Sequence, residues 1–252
     1  MKNNILRGVW LIVVLASRVF AAPWELIASW PTPGPNPKGS VYAGGIYIVE
    51  GVTTPYVYSL EWNGSIHSSF PAPGGPGAWG LAYYNQRFYL SNNQTSYIYY
   101  MTTVGSVISS FLSPIASPAG LSYTADYSLA GTYLFVAIPD QNYIAVLNST
   151  TGSLMKTYPA PGLHPTACGG IYYGSNFYVT DDYTHSVYLG STPVITGIQT
   201  PVGFSFWANT NDEIKWVYVV DDATDYIYQY YTAEYYNDAE PASLGRIKAL
   251  FR

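Results

Sequence analysis

Apolar and polar positions alternate in a unit that returns five times along the chain. Each unit carries an apolar pair, a polar turn, a second apolar pair and a connector rich in Pro and Gly. Short alternating runs bounded by turn residues predict β-strands, and a period of roughly 40–45 residues with several strands is typical of a β-propeller blade. The first pairs are Ile46-Tyr47, Phe88-Tyr89, Leu134-Phe135, Phe177-Tyr178 and Val217-Tyr218, and the second pairs are Val57-Tyr58, Ile98-Tyr99, Ile144-Ala145, Val187-Tyr188 and Ile227-Tyr228.

The connectors indicate how the strands follow one another within a unit. The segment from Ser69 to Gly74 is similar to the segment from Thr157 to Gly162, and each follows a turn, Asn63-Gly64 or Thr151-Gly152. Asn-Gly favours a tight β-hairpin. We therefore expect strand A after each connector, strand B at the first pair, strand C at the second pair, and strand D leading into the next connector.

The connector phrase occurs once too early, because Ser29 to Gly34 precedes the first strand A, and the fifth unit lacks it. The region from Trp24 to Trp30 is therefore predicted to be the fourth strand of the last blade, an arrangement that removes two exposed sheet edges. The sequence predicts an all-β fold: one five-bladed propeller of four-stranded antiparallel blades over residues 22–231. Four or six blades and a row of β-sandwiches are the alternatives.

The first 21 residues do not follow the repeat. Lys2 and Arg7 precede the apolar run from Val9 to Ala16, and small residues follow at Ala21 and Ala22. This order is typical of a secretory signal peptide, and the run is far shorter than the roughly 20 residues that span a bilayer. We expect a secreted protein, extracellular or periplasmic, without a membrane span after cleavage. Residues 232–252 form a C-terminal tail, whose last part, residues 242–252, is apolar and basic and is expected to pack on the ring or to mediate attachment.

Charge and cysteine content limit which partners and which chemistry are expected. Loss of Lys2, Arg7 and Arg18 with the signal changes the formal net charge from −5 to −8, because seven basic residues then face fifteen acidic ones. An acidic surface without a basic stripe argues against nucleic acid as a partner. Cys168 is the one cysteine, and its apolar surroundings predict a buried filler rather than a nucleophile.

Two short sequence patterns occur within the units. One is the segment from Pro118 to Tyr123, and the other occurs twice, from Phe177 to Asp181 and from Val217 to Asp221. They resemble the repeats of NHL/YVTN-type propellers, which read P-x-G-[LI]-[AS]-[YWF] and then YV-[TA]-D. The resemblance covers about residues 24–231. It implies the propeller fold, but it implies no single activity, because such proteins range from binding scaffolds to lyases and lactonases.

The connectors and the turns between strands B and C are expected at one end of the ring, around the channel mouth, which we call the upper face. Acidic residues there are typical of a calcium site or of acid–base catalysis, but Asp at the start of a turn also caps backbone N–H groups. Because these residues recur in successive units, the cap is the favoured interpretation, and calcium stays possible. The five turns begin at Glu50, Asn92, Ile138, Asp181 and Asp221.

Two histidines belong to the same face. His164 lies in a connector and His185 in a B–C turn. No H-x-H or H-E-x-x-H spacing predicts a metal site, and no nucleophile elbow or phosphate-binding loop predicts catalytic residues. The chain is therefore interpreted as a protein that is not an enzyme, although the sequence leaves this open.

Two tryptophans are candidates for ligand stacking. Trp79 and Trp207 are expected at or near the start of strand A in blades 2 and 5, where an indole can stack on a sugar ring. The alternative is that both side chains are buried between neighbouring blades as part of the hydrophobic core. The candidate binding set is thus Trp79, Trp207, His164, His185, Asp181 and Asp221.

These observations lead to three hypotheses. The first is an exported, non-catalytic propeller that binds a glycan or a surface protein through its upper rim. The second is an exported hydrolase or lyase that uses Asp181, Asp221 and His185 or His164 as acid and base. The third is a structural subunit of a cell-surface assembly, which uses an exposed tyrosine-rich face and the basic tail.

Overall fold

The computed structural model describes residues 24–51, 54–124, 132–172, 176–208 and 214–232. The predicted signal peptide and all of the tail beyond Thr232 lie outside the described residues. No helix within the described ranges is long and apolar enough to cross a membrane.

The described residues form twenty β-strands in five four-stranded antiparallel sheets, which confirms the predicted five-bladed propeller. Strands A to D of each blade follow one another from the centre outward. Blade 1 holds β2 Pro37–Tyr42, β3 Ile46–Glu50, β4 Tyr56–Leu60 and β5 Ile66–Pro71; blade 2 holds β6 Ala78–Tyr84, β7 Arg87–Asn92, β8 Tyr97–Thr102 and β9 Val107–Leu112; blade 3 holds β10 Leu121–Thr124, β11 Tyr133–Ile138, β12 Tyr143–Asn148 and β13 Leu154–Pro159; blade 4 holds β14 Pro165–Tyr172, β15 Asn176–Asp181, β16 Ser186–Leu189 and β17 Thr192–Thr196; and blade 5 holds β18 Pro201–Ala208, β19 Ile214–Asp221, β20 Tyr226–Tyr231 and β1 Glu25–Pro31.

The N-terminal strand closes the ring, as predicted. Strand β1 pairs antiparallel with β20, with Glu25 opposite Tyr231 and Pro31 opposite Tyr226. The Thr32 N–H also donates to the Asp225 carbonyl at 2.8 Å. Blade 5 therefore combines strands from the two ends of the described chain, and we call the junction of β1, the β19–β20 turn and blade 1 the closure seam.

The core lies between neighbouring blades. All six residues of β11 are buried, whereas the outermost strands β5, β9 and β13 are mostly exposed. Tyr178 and Tyr218 are fully buried, so these tyrosines occupy strand positions in the core. Because each large apolar side chain contributes about 1.5–3 kcal/mol when buried, inter-blade packing stabilises a ring that has no disulfide, with Cys168 buried and unpaired.

Glycines in or directly before the innermost strands bring the blades close together at the channel. A Cβ added to Gly80 would lie 2.3 Å from the Ala119 carbonyl oxygen, and one added to Gly120 would lie 2.3 Å from the Ala167 Cα. The approach of blade 5 to blade 1 is similar, at 2.5 Å from a Cβ on Gly203 to the Lys38 carbonyl oxygen. The narrow centre of this five-bladed ring therefore depends on residues that lack a side chain.

Candidate ligand-binding face

The acidic turn residues at the upper face are bound by backbone donors. Asp181 Oδ2 accepts hydrogen bonds from the Leu163 and His164 N–H groups at 2.6 and 2.5 Å, and its Oδ1 accepts from the Thr184 N–H at 2.8 Å. The carboxylate thus joins the B–C turn of blade 4 to the connector before it. These contacts are those of a cap.

Asp221 has the same arrangement in blade 5. Its Oδ1 accepts from the Thr200 and Ala223 N–H groups at 2.8 and 3.1 Å, and Oδ2 accepts from the Gln199 N–H at 3.3 Å. Both oxygens are therefore engaged. The geometry favours a structural role for Asp181 and Asp221 over the alternative of a catalytic pair.

In blades 2 and 3, asparagine side chains rather than carboxylates hydrogen-bond the turn to a neighbouring connector. Asn92 Nδ2 donates to the Pro76 carbonyl at 2.9 Å, and its Oδ1 accepts from the Thr95 N–H at 2.9 Å. In blade 3 the turn begins with Ile138, as the sequence indicated, and Asn142 donates to the Gly162 carbonyl at 3.1 Å. Four of the five turns are thus tied to their connectors by polar side chains.

Glu50 in blade 1 is the exception. It is 3% exposed, and neither carboxyl oxygen has a hydrogen-bond partner among the described residues. Burial raises the pKa of this carboxyl to about 8, although the Thr32 side chain and the Gly34 backbone lower it, and the charge of Asp225 adds a smaller increase. Glu50 therefore occupies the position of a cap without acting as one.

His164 belongs to a compact aromatic and acidic group on blade 4. Its Nδ1 lies 2.6 Å from Asp182 Oδ1, and its ring stacks on the Tyr183 ring at a centroid distance of 4.4 Å and an angle of 12°. Tyr183 is 65% exposed, and Leu163 on the same connector is 64% exposed. We call His164, Asp182, Tyr183 and Leu163 the blade-4 platform.

His185 lies at the end of the β15–β16 turn, which also contains Asp182 and Tyr183. Its Nδ1 contacts the Gln199 carbonyl oxygen in the connector after blade 4, whereas His164 lies in the connector before that blade. The two predicted histidines thus contact different connectors. Within the described ranges, no group of three or more His, Cys, Asp or Glu residues is arranged to hold a metal ion.

Trp79 lies near the start of β6, as expected, but it is partly buried. Its ring packs against buried residues of two inter-blade clusters, and the Lys38 Nζ lies 4.9 Å from the ring centroid. The same ammonium group pairs with Asp222 at 2.6 Å. The position of Trp79 fits the core alternative better than that of an open stacking surface.

The expected position of Trp207 is wrong. Strand β18 begins at Pro201, so Trp207 is its penultimate residue and lies toward the lower end of the ring. There it is opposite Trp216 in the sheet and packs against the cluster that contains Tyr218. The sequence interpretation started strand A too late in this blade, because the strand is longer than its aromatic motif.

Sequence analysis did not single out Tyr183 as a candidate. Tyr183 lies inside the turn, where neither strand periodicity nor a catalytic motif marks it. The available signal was an aromatic residue directly after Asp181-Asp182, at a position where turns usually carry small polar residues. Its partner His164 was a candidate, but the contact joins residues from two different connections.

No protein-family model and no curated protein matches the chain. Among solved structures, glutaminyl cyclase from Myxococcus xanthus is similar, with a TM-score of 0.63 and 11% identity over 83% of this chain and 97% of that chain. A catalytically inactive virginiamycin B lyase from Staphylococcus aureus, solved with quinupristin, gives a TM-score of 0.46 and 16% identity over 80% of this chain and 68% of that chain. At this identity the likeness to the cyclase shows the fold alone. The chain is a β-propeller, and its relation to NHL/YVTN-type proteins stays a prediction.

Proposed function

We propose that this protein is an exported, non-catalytic β-propeller that binds a glycan at its upper rim, on the blade-4 platform. The observation that carries the proposal is the exposed Tyr183 ring, which the His164 ring supports from one side at 4.4 Å. Stacking on one side leaves the opposite ring face as a flat apolar surface. The predicted signal peptide supports a location where extracellular glycans are available.

The neighbours of Tyr183 suit a sugar. A pyranose presents an apolar C–H face and a rim of hydroxyl groups, so it needs an aromatic surface next to hydrogen-bonding groups. Asp182 and His164 provide such groups, with side chains 19% and 24% exposed. Because their hydrogen bond holds the imidazole, the platform is ordered before a ligand arrives, which lowers the entropic cost of binding.

The test is a glycan array probed with the protein that lacks residues 1–21. Isothermal titration calorimetry then measures the affinity for the glycan that binds best. Tyr183→Ala is expected to weaken binding about tenfold or more, which corresponds to roughly 1.4 kcal/mol. Trp62→Ala is the matched control, because Trp62 is 52% exposed and contacts Tyr42 on the opposite, lower face. Binding that Trp62→Ala weakens as much as Tyr183→Ala contradicts the assignment, and a protein from the cell surface as the sole ligand favours the protein-binding alternative.

A second candidate is an exported hydrolase or lyase. The observation that favours it is the hydrogen bond between His164 and Asp182, since a carboxylate on Nδ1 orients an imidazole so that Nε2 can take up a proton. Asp181 and Asp221 do not belong to such a set, because backbone donors occupy their oxygens. A hydrolase and lyase screen tests this candidate: turnover that is lost in His164→Ala and reduced in Asp182→Asn, with an unchanged melting temperature, supports an enzyme.

A further inference from the structure

The closure seam contains a buried acid, Glu50, whose carboxyl oxygens have no hydrogen-bond partner among the described residues. Glu50 ends strand β3, and the segment after β1 together with the β19–β20 turn lies beside it. In blade 2 the same position holds Asn92, a neutral side chain with partners on both of its polar atoms. Asp181 and Asp221 are equally buried but are bound by backbone donors. Of the three acids that begin a turn, Glu50 alone has no hydrogen-bond partner among the described residues, and it lies at the junction that closes the ring.

Two hydrogen-bond donors near Glu50, the Thr32 hydroxyl and the Asn36 N–H, already have other acceptors. Thr32 Oγ1 lies 2.8 Å from the Gly34 carbonyl oxygen and 3.1 Å from the Asp225 carbonyl oxygen, so its one proton is directed at a carbonyl. The Asn36 N–H donates to Asp225 Oδ1 at 3.1 Å, and Pro35 has no N–H. The Thr32 side chain and the Gly34 backbone lie near enough to favour the ionised form of Glu50, but neither forms a hydrogen bond to its carboxyl oxygens.

The charged and titratable neighbours oppose ionisation as well. The charge of Asp225, in the β19–β20 turn, acts on Glu50, and Tyr58 of β4 lines the same cavity as Glu50. The lysine of blade 1, Lys38, pairs with Asp222 at 2.6 Å. An ionised Glu50 would therefore add a second negative charge to the seam, close to Asp225, in surroundings of low polarity.

We propose that Glu50 is a pH-sensitive latch on the ring closure. As a neutral acid it packs within the seam and lets the Asp225 turn hydrogen-bond to the segment after β1. As a carboxylate it repels Asp225 and needs hydration, so the hydrogen bonds of the seam open more readily. Water can enter from the adjacent cavity of about 310 Å³, which Gly34, Asn36 and Tyr58 line.

The direction of the pH dependence follows from proton binding. The closed seam holds the pKa of Glu50 at about 8, whereas an open seam returns it toward 4.5. Closure is therefore strongest below about pH 4.5, weakens as pH rises through 8, and changes little above that value. The opening constant of the seam is expected to rise by up to about tenfold per pH unit between pH 5 and pH 8.

Native-state hydrogen exchange between pH 5 and pH 9, corrected for the intrinsic pH dependence of exchange, tests the latch on the whole chain. The amides of Thr32 and Asn36 are expected to lose protection as pH rises, by 100-fold or more in total. The amide of Asn93, which donates to Gly77 at the corresponding turn of blade 2, is the internal control and is expected to keep its protection. Glu50→Gln, a neutral side chain of the same shape, is expected to abolish the pH dependence at the seam.

Two results would overturn the proposal. One is a seam whose protection does not depend on pH, or depends on it in the same way as the Asn93 turn. The other is an identical pH profile in Glu50→Gln. If Glu50→Gln does not fold, Asp225→Asn provides an independent test, because loss of the neighbouring charge must shift the midpoint of opening to lower pH, and an unshifted midpoint contradicts the latch.

Discussion

The channel glycines allow a sharp test of how five blades close around a narrow centre. In Gly80→Ala the new Cβ would lie 2.3 Å from the Ala119 carbonyl oxygen, 2.6 Å from the Leu121 nitrogen and 2.8 Å from the Gly120 carbonyl carbon. All three atoms belong to the backbone of the next blade, so no side-chain rotation relieves the overlap. Blades 2 and 3 must separate by about 1 Å to reach ordinary van der Waals contact.

The cost of this separation follows from packing. Overpacking a well-filled core costs typically 1–3 kcal/mol and occasionally more, and a closed ring transmits the displacement to the other blades. We expect Gly80→Ala to lower the free energy of unfolding by about 3 kcal/mol or more. For a ring of this size, that corresponds to a fall in melting temperature of roughly 6–12 °C.

The assay is thermal unfolding followed by circular dichroism, with urea unfolding as a second measure. The control is Gly45→Ala, in the A–B turn of blade 1, where the nearest atom to a new Cβ is the Leu60 carbonyl oxygen at 3.2 Å. We expect its cost to stay below about 1 kcal/mol. Equal melting temperatures for the two variants would refute the argument that backbone contact at the channel limits residue size.

Three further predictions concern other parts of the ring. Deletion of residues 23–34 removes β1 and exposes the edge of β20, so the truncated protein is expected to lose its cooperative unfolding transition; an unchanged melting temperature contradicts the closure. Asp181→Asn replaces one cap acceptor by an NH2 group that faces backbone donors, and it is expected to cost about 2–3 kcal/mol in thermal unfolding, while Asp140→Asn at an exposed site of blade 3 is expected to be neutral. Cys168 is buried and its thiol pKa is raised to about 12 by that burial, so iodoacetamide at pH 8 is expected to modify it only after denaturation, and rapid labelling of the folded protein contradicts this.

The strand order and the blade number were predictable from the sequence alone. The alternation of apolar and polar residues and the Pro/Gly connectors are local signals, and their period counted the blades. The misplaced connector phrase at Ser29 to Gly34 also predicted the closing strand, because a fourth strand was missing at the other end of the repeat. Each inference needs only the distance along the chain between similar segments.

Tertiary structure decided the features that join distant segments. His164 and Tyr183 stack across two connections, Asp225 is distant in sequence from Glu50 but its charge acts on that carboxyl, and Gly80 lies against the backbone of the next blade. A lone sequence shows residue types but not which turn faces which connector. It could not separate Asp181, which caps a turn, from Glu50, whose oxygens have no hydrogen-bond partner within the described ranges. Their chemistry differs because burial and the supply of backbone donors are properties of the assembled ring.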